Sequence, residues 1–188
     1  NPKNFVLAGI FFTAYSTYLM SRFTLGVDFG TVLWPRIFMG VGMGMLFIPL
    51  TTMTIAGIGK EDMGNATALY NLIRNIGGSI GIAIITTMVT RRAQFHQSRL
   101  VDSLTPYDPV YLLRAGQGAG MLQQKGLDPH SAQHGALGVI YENTVRQASM
   151  LAFADVFYIL TLMMVILVPV VIIMKNTGNG QGPAPAGE

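Results

Sequence analysis

Residues 64–92 read GNATALYNLIRNIGGSIGIAIITTMVTRR. The stretch is long and mostly apolar. At 100° per residue, Thr67, Asn71, Asn75 and Gly78 stack on one helical face, with Arg74 at its margin. Gly77, Gly78 and Gly81 follow closely. In a water-soluble helix each glycine would cost roughly 1 kcal/mol against alanine. In a membrane helix such residues let neighbouring backbones approach. An arginine and two asparagines at the edge of an apolar helix are costly in lipid and need a reason. Two roles fit them. They line a substrate pathway or gating network, or Arg74 reaches to the interface while Asn71 and Asn75 bond neighbouring helices.

Composition points the same way. The 188 residues are 51% hydrophobic and 11% charged, against about 25% charged in soluble domains. Mean hydropathy is +0.45. The chain is expected to be an all-α integral membrane protein. Cysteine is absent, which removes disulfides and thiolate metal sites. The formal charge of +3 is spread along the chain, so a nucleic-acid partner gains no support.

A span needs about 20 apolar residues. Four segments qualify, at about 5–21, 31–56, 66–90 and 151–175. Residues 91–150 form a long extramembrane loop, expected to be partly helical, and 176–188 a disordered Gly/Pro-rich tail. Asp62 is placed to cap the third span. Leu137, Ile140, Tyr141, Thr144 and Val145 form an apolar stripe before the fourth. Lys3, Lys60 and Lys175 fall on one side of the membrane. Arg22, Arg91, Arg92, Arg99, Arg114, Lys125 and Arg146 fall on the other, and this count alone puts the long loop in the cytoplasm. The chain opens Asn-Pro-Lys-Asn without an initiator Met or a signal pattern, and a C-terminal fragment of a longer protein is expected.

The second span holds Trp34-Pro35-Arg36, then Gly40, Gly42 and Gly44, then Pro49. Gly40 and Gly44, four apart, are a close-packing motif. Pro49 removes a backbone donor and should kink the helix. Asp155 enters the fourth span from the same side as Arg36. The two are expected to form a buried ion pair, or Asp155 to be proton-linked. His130 and His134 share a helical spacing, with no third metal ligand nearby in sequence. No catalytic constellation occurs: HExxH, GxSxG and Walker patterns are absent, and an intramembrane aspartyl protease would need a second carboxylate within a span. An enzyme is not expected.

The run Lys60-Glu61-Asp62-x-Gly64-Asn65-Ala66-Thr67-Ala68, leading into Asn71-x-x-Arg74-x-x-Gly77-Gly78-Ser79-x-Gly81-x-Ala83, resembles the penultimate helix of EmrB/QacA-type multidrug exporters. These are fourteen-helix drug:proton antiporters of the major facilitator superfamily. The Pro35-Arg36-x-x-x-Gly40-x-Gly42-x-Gly44 run is similar to that family's twelfth helix. The Arg91-Arg92 and Asp102-x-x-x-Pro106 segment resembles the extracytoplasmic loop of its Gram-negative branch. The resemblance covers essentially residues 1–176. It implies helices eleven to fourteen of a C-terminal bundle, with the C-terminus cytoplasmic and the 91–150 loop periplasmic, reversing the charge count. It implies a bacterial inner membrane, amphipathic small-molecule cargo and alternating access powered by a proton gradient, without a cofactor. It further implies that Gly40, Gly44, Gly77, Gly78 and Gly81 pack helices that rock. A periplasmic adaptor on the long loop, with an outer-membrane channel beyond it, would complete the path. The family's main proton-coupling carboxylates lie in helices outside this chain. Two other readings stay open: a non-transporting membrane anchor or assembly subunit, and a single-metabolite permease of the same superfamily.

Overall fold

The computed structural model describes residues 2–55, 58–59, 61–102, 104–105 and 107–173. The expected 176–188 tail, Lys60, Pro106 and Lys175 lie outside them, as do the expected last residues of the second span and of the fourth. The described residues form five α-helices and no strand: α1 (Pro2–Met20), α2 (Phe29–Ile55), α3 (Met63–Asp102), α4 (Pro109–Gln124) and α5 (Pro129–Ile173). Two compact units divide the chain: Asn1–Arg22, Val27–Ile82 and Phe157–Glu188 form one, Phe23–Gly26 and Ala83–Val156 the other.

Among the described residues, α2, α3 and α5 are long and apolar enough to cross a membrane. Four such helices were expected. α1 is the exception, because its 19 residues include Lys3 and Asn4 and the hydroxyls of Thr13, Tyr15, Ser16, Thr17 and Tyr18. Val6, Ile10, Thr13, Thr17 and Met20 are buried on one face, at the i, i+3/i+4 spacing of a helical stripe. That stripe packs on α2. A Cβ at Gly42 would stand 2.5 Å from Thr13 Oγ1 and 2.8 Å from Thr13 N, and one at Gly9 would stand 2.8 Å from Leu46 Cγ. Ser16 Oγ donates to the Pro35 carbonyl at 2.6 Å, and Thr161 Oγ1 to Thr17 Oγ1 at 2.9 Å. Thr13 and Thr17 donate to carbonyls of their own helix, so the buried hydroxyls are satisfied partly within α1 and partly across helices, as an apolar layer without water requires.

The expected Gly40–Gly44 seam is not the one this unit uses. Successive helix positions turn by 100°, so Gly42 points about 200° away from Gly40. Gly42 faces α1, and Cβ atoms at Gly40, Gly44, Gly77, Gly78 and Gly81 would meet nothing within 4 Å. α3 buries none of its residues.

In the other unit, the chain between residues 91 and 150 is more helical than a loop. α3 does not stop at residue 90, because no Pro or Gly interrupts residues 91–101. Asp108-Pro109 and Asp128-Pro129 each start a helix. Asp108 Oδ1 accepts from Val110 N at 2.8 Å. Asp128 Oδ2 accepts from His130 N at 3.1 Å and Ser131 N at 3.0 Å. Each proline sits at the first helical position, where its missing N–H costs nothing. Gly126, with φ 93°, turns the chain between α4 and α5. Asp62, expected as a cap, directly precedes α3, and its carbonyl accepts from Ala66 N.

The buried seam of α5 in this unit is Ala132, Ala136, Thr144, Ala148, Ala152 and Val156, spaced by multiples of four. Of the expected stripe, Thr144 is buried and Ile140 half-buried, while Leu137 and Tyr141 are exposed. Small side chains win this face because they allow close approach. A Cβ at Gly118 of α4 would lie 3.1 Å from Ala136 Cβ.

Candidate functional site

Asp155 is the carboxylate the sequence singles out, and its partners come from α3. His96 Nε2 lies 2.8 Å from Asp155 Oδ2, and Arg92 Nη1 approaches the same oxygen at 3.5 Å. Arg92 and His96 are four apart, hence on one helical face. They reach Asp155 because α3 continues beyond residue 90. Asp155 was expected to pair with Arg36; within its own unit its partners are His96 and Arg92. Arg36 is exposed in the other unit and makes no ion pair among the described residues. His96 lay in a segment read as a loop. Its signal in the sequence was the Arg92–His96 spacing.

The cluster is polar but not sealed. The side chains of His96, Asp155 and Arg92 are 20%, 35% and 46% exposed. With its proton on Nε2, the imidazole donates to Asp155 and leaves Nδ1 open.

The polar end of α3 sits in the other unit. Arg74 stacks its guanidinium 4.6 Å from the centre of the Phe47 ring, a cation–π contact with α2. Thr51 Oγ1 and Tyr70 Oη are 3.4 Å apart on the same pair of helices. Thr67 Oγ1 donates back to Met63 O. The side chains of Asn71 and Asn75 are exposed and make no hydrogen bond among the described residues. The four residues expected to line a pathway or gate therefore share an open helix surface, with only Arg74 anchored to a neighbouring helix.

His130 and His134 do share a face, on the first turns of α5, with ring centroids 4.6 Å apart. No group of three or more metal-ligating side chains occurs among the described residues. Two carboxylates outside the expected spans are held below the ordinary value of 3.8. Asp28 is lowered chiefly by the Thr31 hydroxyl and Asp128 chiefly by the Ser131 backbone N–H. Both are helix caps.

The 83–156 unit also holds a cavity of about 790 Å³. It lies between the α4 face carrying Arg114 and the α5 face carrying Asn143, with Leu100 and Leu104 also lining it. Sequence reading missed it, because a groove between two helices depends on how they pack.

No family model matches the chain, and no solved structure matches it. Curated proteins do. The chain is 28% identical over 93% of its length to the fatty acid resistance protein FarB of Neisseria gonorrhoeae, covering 34% of that protein. It is 32% identical over 86% of its length to the multidrug export protein EmrB of Escherichia coli K12, covering 31% of it. A colistin resistance protein EmrB of Acinetobacter baumannii is 27% identical over 87% of the chain. The chain spans about a third of the length of these relatives. Its apolar helices and these relatives make it a multi-pass membrane protein. It is a homologue of the EmrB-type multidrug transporters of the major facilitator superfamily.

Proposed function

We propose that this chain is part of the C-terminal bundle of a transporter that exports amphipathic toxic compounds from a bacterial cell. The observation that carries the reading is the match, over most of the chain, to proteins named for multidrug export and for resistance to fatty acids and colistin. The export cycle is alternating access in the inner membrane, two helix bundles rocking about a central cavity while proton entry drives cargo out. In this reading Gly40, Gly44, Gly77, Gly78 and Gly81 face further helices of the transporter. Their open surfaces support that assignment. Thr67, Asn71, Arg74 and Asn75 lie toward the pathway or its gate, and Asp155 with His96 forms a proton-linked contact. The 91–150 segment lies in the periplasm and offers a surface for an adaptor protein leading to an outer-membrane channel. The C-terminus lies in the cytoplasm.

The test is export by the full-length transporter that contains this chain, in a strain lacking its main efflux pumps. Preloaded amphipathic dye should leave the cells, and a protonophore should stop it. Equal dye retention with and without the transporter would overturn the export reading. Export that persists through the protonophore would overturn proton coupling alone.

A further inference from the structure

The cavity of the 83–156 unit has an apolar floor and a polar rim. Leu100, Leu104 and Ile140 are half-buried and Ala136 is buried. Arg114, Gln117, Asn143 and Gln147 line the same space and are exposed. Helical spacing explains the arrangement. On α4, Arg114, Gly118 and Met121 fall at i, i+4 and i+7. On α5, Ala136, Ile140, Asn143 and Gln147 fall at i, i+4, i+7 and i+11. Each helix therefore presents one amphipathic stripe to the cavity.

Two features separate this cavity from a mere gap in packing. First, its rim is chemically unused: Arg114, Gln117, Asn143 and Gln147 make no side-chain hydrogen bond or ion pair among the described residues. Second, the two charges at the cavity are held differently. Asp108 keeps its negative charge but is fixed at the start of α4, its Oδ1 accepting from Val110 N. Arg114 projects from the next turns of α4 with no ion-pair partner among the described residues. A volume of about 790 Å³ lies within the roughly 300–1,000 Å³ of small-molecule pockets.

We propose that this cavity is a binding site for amphipathic monoanions, of the class of long-chain carboxylates. The carboxylate pairs with Arg114, with Asn143 and Gln147 as amide donors beside it. The aliphatic chain lies over Leu100, Leu104 and Ile140, taken out of water. A cationic chain of the same length is repelled by Arg114 and has as its one anionic lining partner Asp108, fixed at the start of α4. The site is built from α4, the facing stretch of α5, the end of α3 with Leu104 and Asp108 that follow it, and the segment around Leu25. It is thus separate from the polar stripe of Thr67, Asn71 and Asn75. Its biological role, holding cargo on its way out, rests on the export reading. Occupancy does not.

The experiment uses the full-length transporter in lipid nanodiscs, with no proton gradient. The probe is dodecanoate carrying a terminal diazirine, photolysed and mapped by mass spectrometry. Labelling is expected on peptides covering 100–104 and 136–147. Excess dodecanoate should compete it away, and an equal excess of dodecyltrimethylammonium should not. Arg114→Gln should weaken competition by dodecanoate about tenfold, the order expected for losing one charge-assisted contact. Ile140→Gln, which spoils the apolar floor without touching Arg114, should weaken it as well. Circular dichroism checks that both variants keep their helix content. Labelling elsewhere only, equal competition by the cationic chain, or competition unchanged in Arg114→Gln overturns the site. Labelling as expected in a transporter that fails the dye assay keeps the site and removes the export reading.

Discussion

His96 Nε2 and Asp155 Oδ2 are 2.8 Å apart, and Arg92 Nη1 lies 3.5 Å from the same oxygen. The contact joins residues 59 positions apart, one on α3 and one on α5. It is the only carboxylate-centred ion-pair cluster among the described residues. Asp155 is neither sealed from water nor free in it, so its worth falls between an exposed pair and a buried one.

Asp155→Ala is therefore expected to destabilise the protein by about 1–2 kcal/mol, between the exposed-pair range and that of a hydrogen bond to a charged group. Asp155→Asn keeps an acceptor for His96 and should recover about half of the loss. Chemical unfolding of the purified full-length protein measures both. A loss in Asp155→Asn equal to that in Asp155→Ala would show that charge, not the hydrogen bond, holds the two helices together.

The α1–α2 contact turns on Gly42 rather than on Gly40. A Cβ at Gly42 would overlap Thr13, whose backbone N would lie 2.8 Å away. Backbone cannot rotate aside, so Gly42→Val should cost at least the 1–3 kcal/mol typical of overpacking and lower the folded yield. In the unit itself, Gly40→Ala meets nothing within 4 Å. Any loss it causes in the full-length transporter measures helices that pack there from outside this chain. Comparing the two variants in thermal unfolding separates the effects.

Much of the helical content was legible because apolar runs of about 20 residues admit few other readings. The Asp108-Pro109 and Asp128-Pro129 starts were also in the sequence. An N-cap aspartate before a first-position proline is a helix signal, although proline is as common in turns. The partner of Asp155 was not legible. Nothing local tells a carboxylate on α5 that α3 extends far enough to bring His96 beside it. The choice of Gly42 over Gly40 was likewise set by which side of α2 receives α1. Periodicity narrows that choice to a face but does not name the neighbour.

The cap at Asp128 predicts a pH effect with a definite sign. Its carboxyl is held below the ordinary value of 3.8, first by the Ser131 backbone N–H. The folded state thus favours the ionised form. The cap's contribution is fully present above 3.8 and is lost as pH falls through the lower folded value. Acidification should fray the first turn of α5, seen as a shift of the Ser131 amide resonance. Asp128→Asn retains an acceptor without a titrating charge, so its Ser131 resonance should not follow that step.

Arg74 offers a direct choice between packing and pathway. Its guanidinium sits 4.6 Å from the Phe47 ring centre, and a cation–π contact at an exposed site contributes about 0.5–1 kcal/mol. A double-mutant cycle with Phe47→Leu and Arg74→Gln should return a coupling of that size in stability. If packing is all Arg74 does, Phe47→Leu and Arg74→Gln should reduce dye export to similar, small extents, since each removes the same contact. If Arg74 also serves the pathway or its gate, Arg74→Gln should reduce export severalfold more than Phe47→Leu at matched stability. Arg74→Lys should then fall between them, because the ammonium keeps the charge but loses the planar face that stacks on the ring. Asn71 and Asn75, one turn apart beside Arg74 and exposed, sharpen the comparison. Their alanine variants remove no side-chain hydrogen bond among the described residues, so export lost through them at matched stability is expected to belong to the pathway or to helices beyond this chain.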